Sequence, residues 1–148
     1  MAVEASRVST KINAPPSRVW TALTDKQNLK TLWFGADVET NWRIGTPIFW
    51  RGDWKGQKFE DKGVIKTFAP DKKLSFTHWS PRSNAPDAPE HYHTVTFELT
   101  PAGKATQVVL TQENHDDSEL RKPEAREELK KNWTRLLDGL KKAVEGGG

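Results

Sequence analysis

The chain contains 148 residues, 34% of them apolar and 29% charged, with a formal net charge of +3. This length suits one domain with its own core, and the interspersed charges argue against a nucleic-acid partner. The absence of cysteine excludes disulfide bonds, thiolate catalysis and cysteine-based metal sites.

No long apolar run occurs near the start of the chain. The pattern therefore predicts neither a signal peptide nor membrane insertion, and it favours a cytoplasmic protein. The aromatic residues are unusual, with seven Trp and six Phe against a single Tyr. So many large rings in a small protein indicate a thick core or a cavity with flat aromatic walls.

The N-terminal part predicts one strand followed by two short helices. Residues 7–12 alternate apolar and polar side chains, which is typical of a half-buried strand. Residues 17–24 then read as a short helix. Thr24 is a good N-cap for a second helix, with Gln27 completing a capping box, and that helix ends before Gly35.

Six further strands follow. They are predicted at residues 36–43, 47–52, 57–68, 73–79, 91–100 and 105–114. Turns rich in Gly, Pro and Asp separate most of them, and a polar, proline-rich loop covers residues 80–90.

The C-terminal part predicts one long amphipathic helix over residues 124–144, with an onset between Ser118 and Pro123. Residues 146–148 are a glycine tail, so we expect a single domain over residues 1–145. No internal repeat divides the chain.

Six segments that span nearly the whole chain carry a family resemblance. They are INAPPSRVWTALTD, RIGTPIFWRGDWKG, FEDKGVIKTFAPDKKLSFTHWS, EHYHTVTFELTP, TQVVLTQEN and NWTRLLDGLKK. This ordered set resembles the SRPBCC or START-like superfamily, and within it the bacterial relatives of the activator of the heat-shock-protein ATPase, the Aha-type family.

The resemblance implies an α+β helix-grip (START-like) fold. In this fold a curved antiparallel sheet of about six or seven strands wraps around a long C-terminal helix, with two short helices after the first strand. It also implies a cavity between sheet and helix that binds lipids, polyketides, flavonoids or similar apolar molecules. Only some branches of the superfamily are enzymes.

The position of each turn predicts which residues pair across neighbouring strands. Because side chains alternate between the two faces of a strand, it also predicts which residues share a face. The sequence predicts connections centred at residues 54–55, 70–71, 85–86 and 102–103. The resulting cross-strand pairs are Trp50 with Phe59, Ile48 with Asp61, Gly63 with His78, Ile65 with Phe76, Thr67 with Leu74, Phe76 with Val95, His78 with His93, His93 with Gln112, Val95 with Leu110 and Phe97 with Val108.

These pairs define a concave face that is apolar for most of its length and polar at one end, as a small-molecule site requires. Trp33 and Trp133 are expected on the opposite wall. The predicted ligand-binding residues are Trp33, Trp50, Phe59, Gly63, Ile65, Phe76, His78, His93, Val95, Phe97, Leu110, Gln112, Asn114, Leu129, Trp133 and Leu137. Gly63 is expected to leave space for a ligand atom.

The polar end contains three candidate catalytic residues, His78, His93 and Asp61. Two His and one Asp match an open zinc site in residue type, but nothing in the family resemblance calls for a metal, so we expect no metal and no other cofactor. Asp61 could instead orient His78 for general acid–base catalysis. The remaining interpretation is that the histidines hydrogen-bond a ligand or water at the cavity mouth.

Three functions therefore stay open. The first is a binding or carrier protein for an apolar, aromatic or lipid-like small molecule. The second is a cyclase- or hydrolase-type enzyme using the same cavity, which is disfavoured by the lack of a recognisable nucleophile, phosphate loop or metal motif. The third is a co-chaperone-like interaction module that contacts a chaperone ATPase through exposed aromatics such as Trp54. We expect a monomer or weak dimer, since no heptad pattern is present.

Overall fold

A computed structural model describes residues 3–81, 85–115 and 123–146. The elements in chain order are β1 (Val3–Ile12), α1 (Pro16–Thr24), α2 (Lys26–Leu32), β2 (Asp37–Thr40), β3 (Pro47–Trp54), β4 (Gln57–Ala69), β5 (Lys73–His78), a short 3-10 helix (Pro89–His91), β6 (His93–Ala102), β7 (Ala105–Asn114) and α3 (Pro123–Gly146). The seven strands form one antiparallel sheet in the order β1-β7-β6-β5-β4-β3-β2. The predicted helix-grip fold is confirmed.

The long helix α3 packs against the sheet through one apolar stripe. Leu136, Leu137, Leu140 and Val144 recur at helical spacing and are all buried. The C-terminal end of α3 is fixed to α1, where the guanidinium of Arg18 donates a 2.8 Å hydrogen bond to the carbonyl of Val144. A cation at this end also interacts favourably with the helix dipole.

The predicted capping box at the start of α2 is wrong. Asp25 is the N-cap residue and makes no side-chain capping hydrogen bond. Thr24 is instead the last residue of α1, and its hydroxyl donates to the carbonyl of Trp20. A threonine inside a helix commonly bonds back to the carbonyl four residues earlier, which removes it from capping the next helix.

The β3–β4 hairpin turns one residue later than predicted. Lys55 and Gly56 both have positive φ angles, of 51° and 82°, which is the conformation of a two-residue type I′ turn. Trp50 therefore pairs with Asp61 rather than Phe59, and Ile48 pairs with Gly63 rather than Asp61. Because the shift is two residues, every side chain keeps its predicted face.

The β5–β6 pairing agrees with the prediction, placing Phe76 opposite Val95 and His78 opposite His93. The turn between β6 and β7 again lies one residue later than predicted. Val95 therefore pairs with Gln112 instead of Leu110, and His93 is not the partner of Gln112.

The same shift moves Phe97 from the predicted Val108 to Leu110. In the β4–β5 pair, Ile65 lies opposite Phe76 as predicted. An irregularity after Ile65 then places Thr67 opposite Ser75 instead of Leu74.

Gly63 allows two strands to pack closely and does not line the cavity described below. A Cβ atom at this position would overlap the backbone carbonyl of Thr77 on β5. The missing side chain therefore allows β4 and β5 to approach closely, and the expectation that it leaves room for a ligand is wrong.

Several predicted boundaries also change. The strand predicted over residues 36–43 shortens to β2, and Trp42 beyond it has a left-handed φ of 63°. Trp54 is the last residue of β3 instead of part of the turn. Gly146 is helical, so the predicted glycine tail does not begin there, and Ser118 lies outside the described residues.

Candidate functional site

A cavity of about 630 Å³, partly open to solvent, lies between the sheet and α3. Its walls come from five strands, from the C-terminal end of α2 and the segment after it, and from the N-terminal half of α3. The lining residues are Trp33, Phe34, Ala36, Trp50, Asp53, Phe59, Asp61, Phe76, His78, His93, Val95, Gln112, Leu129, Asn132, Trp133 and Arg135.

Trp33 is the centre of the aromatic wall. It is the C-cap residue of α2, and its ring meets three others edge to face. The ring centroids of Trp50, Phe76 and Trp133 lie 5.6, 5.9 and 5.9 Å from it. Contacts of this geometry contribute about 0.5–1.5 kcal/mol each beyond the area they bury. They fix the end of α2 to both the sheet and α3.

Asp61 and His78 form the polar end of the cavity. The Nε2 atom of His78 lies 3.0 Å from Oδ2 of Asp61, whose side chain is only 7% exposed. An ionised carboxylate only accepts hydrogen bonds, so this contact places a proton on Nε2. The neutral imidazole then has its acceptor lone pair on Nδ1.

His93 lies directly opposite His78 on the neighbouring strand, and both residues line the cavity. The ring of His78 also packs edge-on against Trp50, with centroids 5.0 Å apart. The three candidate catalytic residues are therefore brought together at one end of the cavity. Their role in catalysis or binding stays a prediction.

A hydrogen-bonded chain links α3 to β7 beside the cavity. The indole N–H of Trp133 donates to Oε1 of Gln112 at 2.9 Å. The amide of Gln112 in turn donates to Oδ1 of Asn114 at 2.8 Å. Gln112 and Asn114 are both buried, and this chain sets the orientation of the Trp133 ring.

The predicted ligand-binding residues separate into two groups. Those that line the cavity are Trp33, Trp50, Phe59, Phe76, His78, His93, Val95, Gln112, Leu129 and Trp133. Those that do not are Gly63, Ile65, Phe97, Leu110, Asn114 and Leu137. Most of the second group lie where α3 packs directly on the sheet and are almost fully buried, so that end of the interface is core.

Sequence reasoning missed five lining residues. Phe34 and Ala36 follow α2, Asp53 lies near the β3–β4 turn, and Asn132 and Arg135 lie on the flank of α3. The helix stripe was traced through its apolar positions alone. Extending it to the polar neighbours of Trp133 would have found Asn132.

Within residues 3–81, 85–115 and 123–146, no group of three or more His, Cys, Asp or Glu is placed to hold a metal ion. None of the helices in these same ranges is long and apolar enough to cross a membrane.

An antiparallel sheet that holds a long helix over an aromatic-walled cavity defines a helix-grip protein with a concave site of small-molecule size. Residues 13–145 match the family described as "Activator of Hsp90 ATPase homolog 1-like protein". The chain belongs to this family, and the predicted resemblance is confirmed.

Solved structures share the fold of this chain. A protein from Cytophaga hutchinsonii is 38% identical, with a TM-score of 0.82 over 99% of this chain and 95% of that one. The Aha1 dimer from Colwellia psychrerythraea is 22% identical, with a TM-score of 0.70 over 98% and 96%. DynU16, a protein in the dynemicin biosynthetic locus, is 22% identical, with a TM-score of 0.73 over 95% and 47%. No curated protein matches the chain significantly.

Proposed function

We propose that the protein binds an apolar, aromatic or lipid-like small molecule in this cavity and acts as its carrier. The observation that supports this most is the aromatic wall formed by Trp33, Trp50, Phe76 and Trp133 around about 630 Å³. Small-molecule sites are typically concave and apolar, with a few convergent polar groups and volumes in this range.

The polar end gives the ligand a preferred orientation. A hydroxyl tip that reaches His78 could donate a hydrogen bond to Nδ1, because Asp61 holds the ring proton on Nε2. A purely apolar molecule gains nothing from this end. The ligand we propose is therefore a flat apolar body with one polar tip.

A pair of probes tests this orientation. Naphthalene and 2-naphthol differ by one hydroxyl, and binding of either is followed by quenching of tryptophan fluorescence. We expect His78→Phe to weaken 2-naphthol about tenfold, the equivalent of roughly 1.4 kcal/mol for a lost hydrogen bond, and to leave naphthalene within twofold.

The matched control is His115→Phe, at an exposed position just beyond β7, which should change neither affinity. If the unchanged protein binds neither naphthalene nor 2-naphthol, the proposal is overturned. If His78→Phe weakens the affinity for both probes equally, the histidine is structural. Mass spectrometry of small molecules that co-purify with the protein would identify the natural ligand.

The hydrogen bond between Asp61 and His78 also favours a second candidate, acid–base catalysis of the cyclase or hydrolase type. A neutral His78 could take a proton from a bound molecule through its second ring nitrogen. The probe is 2-indanone, whose α-protons exchange in D2O. Catalysis predicts exchange faster than the uncatalysed rate, and a fall to the uncatalysed rate in His78→Gln.

Family membership supports a third candidate, a co-chaperone-like module, which would require stimulation of a purified Hsp90-type ATPase. We further propose that residues 1–145 form one cytoplasmic domain that is a monomer or weak dimer. The Colwellia relative was solved as a dimer, so light scattering over a range of concentrations is the relevant measurement.

A further inference from the structure

Phe34 is an exposed aromatic residue at the mouth of the cavity. It lies just after α2, lines the cavity, and is 63% exposed. Its φ angle is 56°, in the left-handed region that bulky residues rarely adopt. The residue combines an unfavourable backbone conformation with an unfavourable surface position.

The backbone conformation is imposed by the way α2 ends. The N–H of Gly35 donates to the carbonyl of Lys30 at 2.7 Å, and the N–H of Phe34 donates to the carbonyl of Thr31 at 3.3 Å. These two hydrogen bonds form a Schellman motif, in which Phe34 takes the left-handed position that glycine usually fills. Gly35, which also has a positive φ of 92°, comes one residue too late to supply it.

Packing does not compensate for this conformation, because most of the Phe34 ring remains in water. Strained backbone conformations persist only where the surrounding structure enforces them, and they cluster at active sites and ligand-binding sites. Ile44 offers a comparison: it is 65% exposed, but it does not line the cavity.

We propose that Phe34 is a ligand-contacting residue that packs on the bound molecule at the cavity mouth and sets its dissociation rate. The ligand class is an apolar molecule whose body extends from the Trp33 wall to the mouth. This inference rests on the proposed function of the cavity. Phe34 thus contributes to ligand binding and not to the stability of the fold.

The test uses 1-aminoanthracene, a flat aromatic amine whose fluorescence increases in apolar surroundings. Dissociation is measured by stopped flow, and thermal unfolding is measured without the probe. We expect Phe34→Ala and Phe34→Gly both to release the probe at least fivefold faster. Only Phe34→Gly should raise the unfolding temperature, because only glycine relieves the left-handed strain.

Two controls separate the ring from general surface effects. Ile44→Ala removes an equally exposed apolar side chain, and Asp71→Gly relaxes another left-handed residue, with a φ of 65°, in the β4–β5 turn. Both should keep the dissociation rate within twofold of the unchanged protein.

The outcomes distinguish the two proposals. If the unchanged protein binds no 1-aminoanthracene, the cavity function fails, and the role of Phe34 fails with it. If the unchanged protein binds the probe but both Phe34 variants release it at the normal rate, only the role of Phe34 is overturned. If Ile44→Ala releases the probe as fast as the Phe34 variants do, the role of Phe34 is overturned as well.

Discussion

At the scale of single residues, Gln112 shows how a polar group at a cavity wall can be structural. Its carbonyl accepts from the indole of Trp133, and its amide donates to Asn114. Both hydrogen-bonding groups of the Gln112 side chain are therefore engaged within the protein. A residue type that suggests ligand recognition in the sequence serves here to position an aromatic ring.

We predict that Gln112→Met lowers the free energy of unfolding by about 1–3 kcal/mol, because the Trp133 N–H loses its acceptor and Asn114 loses its donor. Urea denaturation measures the change. Gln107→Met, at a half-buried position on the same strand, should stay within about 0.5 kcal/mol. Equal losses in the two variants would contradict the structural role of Gln112.

Residue chemistry in the sequence predicted the association of Asp61 with His78, but not its geometry. The expected partner of Asp61 across the β3–β4 pair was Ile48, whereas the observed partner is Trp50. The hydrogen bond forms because Asp61 and His78 share the concave face, a property that survives a shift of two residues. The exposure of Phe34 had no comparable signal, since it depends on how α2 ends.

At the scale of elements, the face of each side chain was more predictable than register, which agrees with the prediction in the β5–β6 pair and at Ile65 of the β4–β5 pair. Side-chain alternation determined which residues share the concave face. The position of a two-residue turn depends on which residues adopt positive φ, and Lys55 does so despite not being glycine. The wrong registers in the β3–β4 and β6–β7 pairs come from turns displaced by one residue, whereas the wrong pairing of Thr67 comes from an irregularity within β4–β5.

Residues 85–92, which precede β6, are held against the sheet by a charged and aromatic cluster. Asp87 accepts hydrogen bonds from the ammonium of Lys62 and from the hydroxyl of Tyr92. Trp79 stacks on Tyr92 with centroids 6.1 Å apart, and its indole donates to the carbonyl of Ala85. The hydrogen bonds, first from Lys62 and then from Tyr92, lower the pKa of Asp87 below its ordinary value of 3.8.

The pH dependence of this cluster follows from the direction of the pKa changes. A carboxyl group with a lowered pKa stabilises the folded protein above pH 3.8, and this contribution is lost as the pH falls through the folded-state value. The hydrogen bond to Asp87 raises the pKa of Lys62 above 10.5, so its contribution is lost only as the pH rises through that raised value.

We therefore predict that Asp87→Asn lowers stability by a constant amount between about pH 5 and 9. The difference from the unchanged protein should shrink below about pH 4, where Asp87 becomes protonated. Urea unfolding at several pH values provides the measurement. Asp138→Asn, on the exposed face of α3, is the control, and a difference that persists undiminished at pH 2 would contradict the prediction.

At the scale of the whole molecule, the space between sheet and helix is filled at one end and hollow at the other. Leu136, Leu137 and Leu140 are buried against the sheet, whereas Leu129 and Trp133 line the cavity. The spacing of apolar residues in the sequence predicts that these five side chains share one face of the helix. It does not predict where the filled core ends and the cavity begins. That boundary depends on side-chain volumes summed across seven strands and three helices.

This division predicts different costs for two truncations on the same helix. Leu140→Ala opens a cavity in filled core and should lower the free energy of unfolding by about 2–5 kcal/mol. Trp133→Ala should cost less than the 3–5 kcal/mol typical of a packed aromatic residue, because one side of the ring already faces open space. Urea denaturation of both variants measures the difference.

Ligand binding should rank the same two variants in the opposite order. Trp133 belongs to the aromatic wall through its contact with Trp33, so Trp133→Ala should weaken 1-aminoanthracene at least tenfold. Leu140 lies deep in the filled end, so the Leu140→Ala protein that remains folded should bind the probe within about threefold of the unchanged protein. If Trp133→Ala lowers the free energy of unfolding by the full 3–5 kcal/mol and leaves probe binding unchanged, the end lined by Leu129 and Trp133 is also filled core.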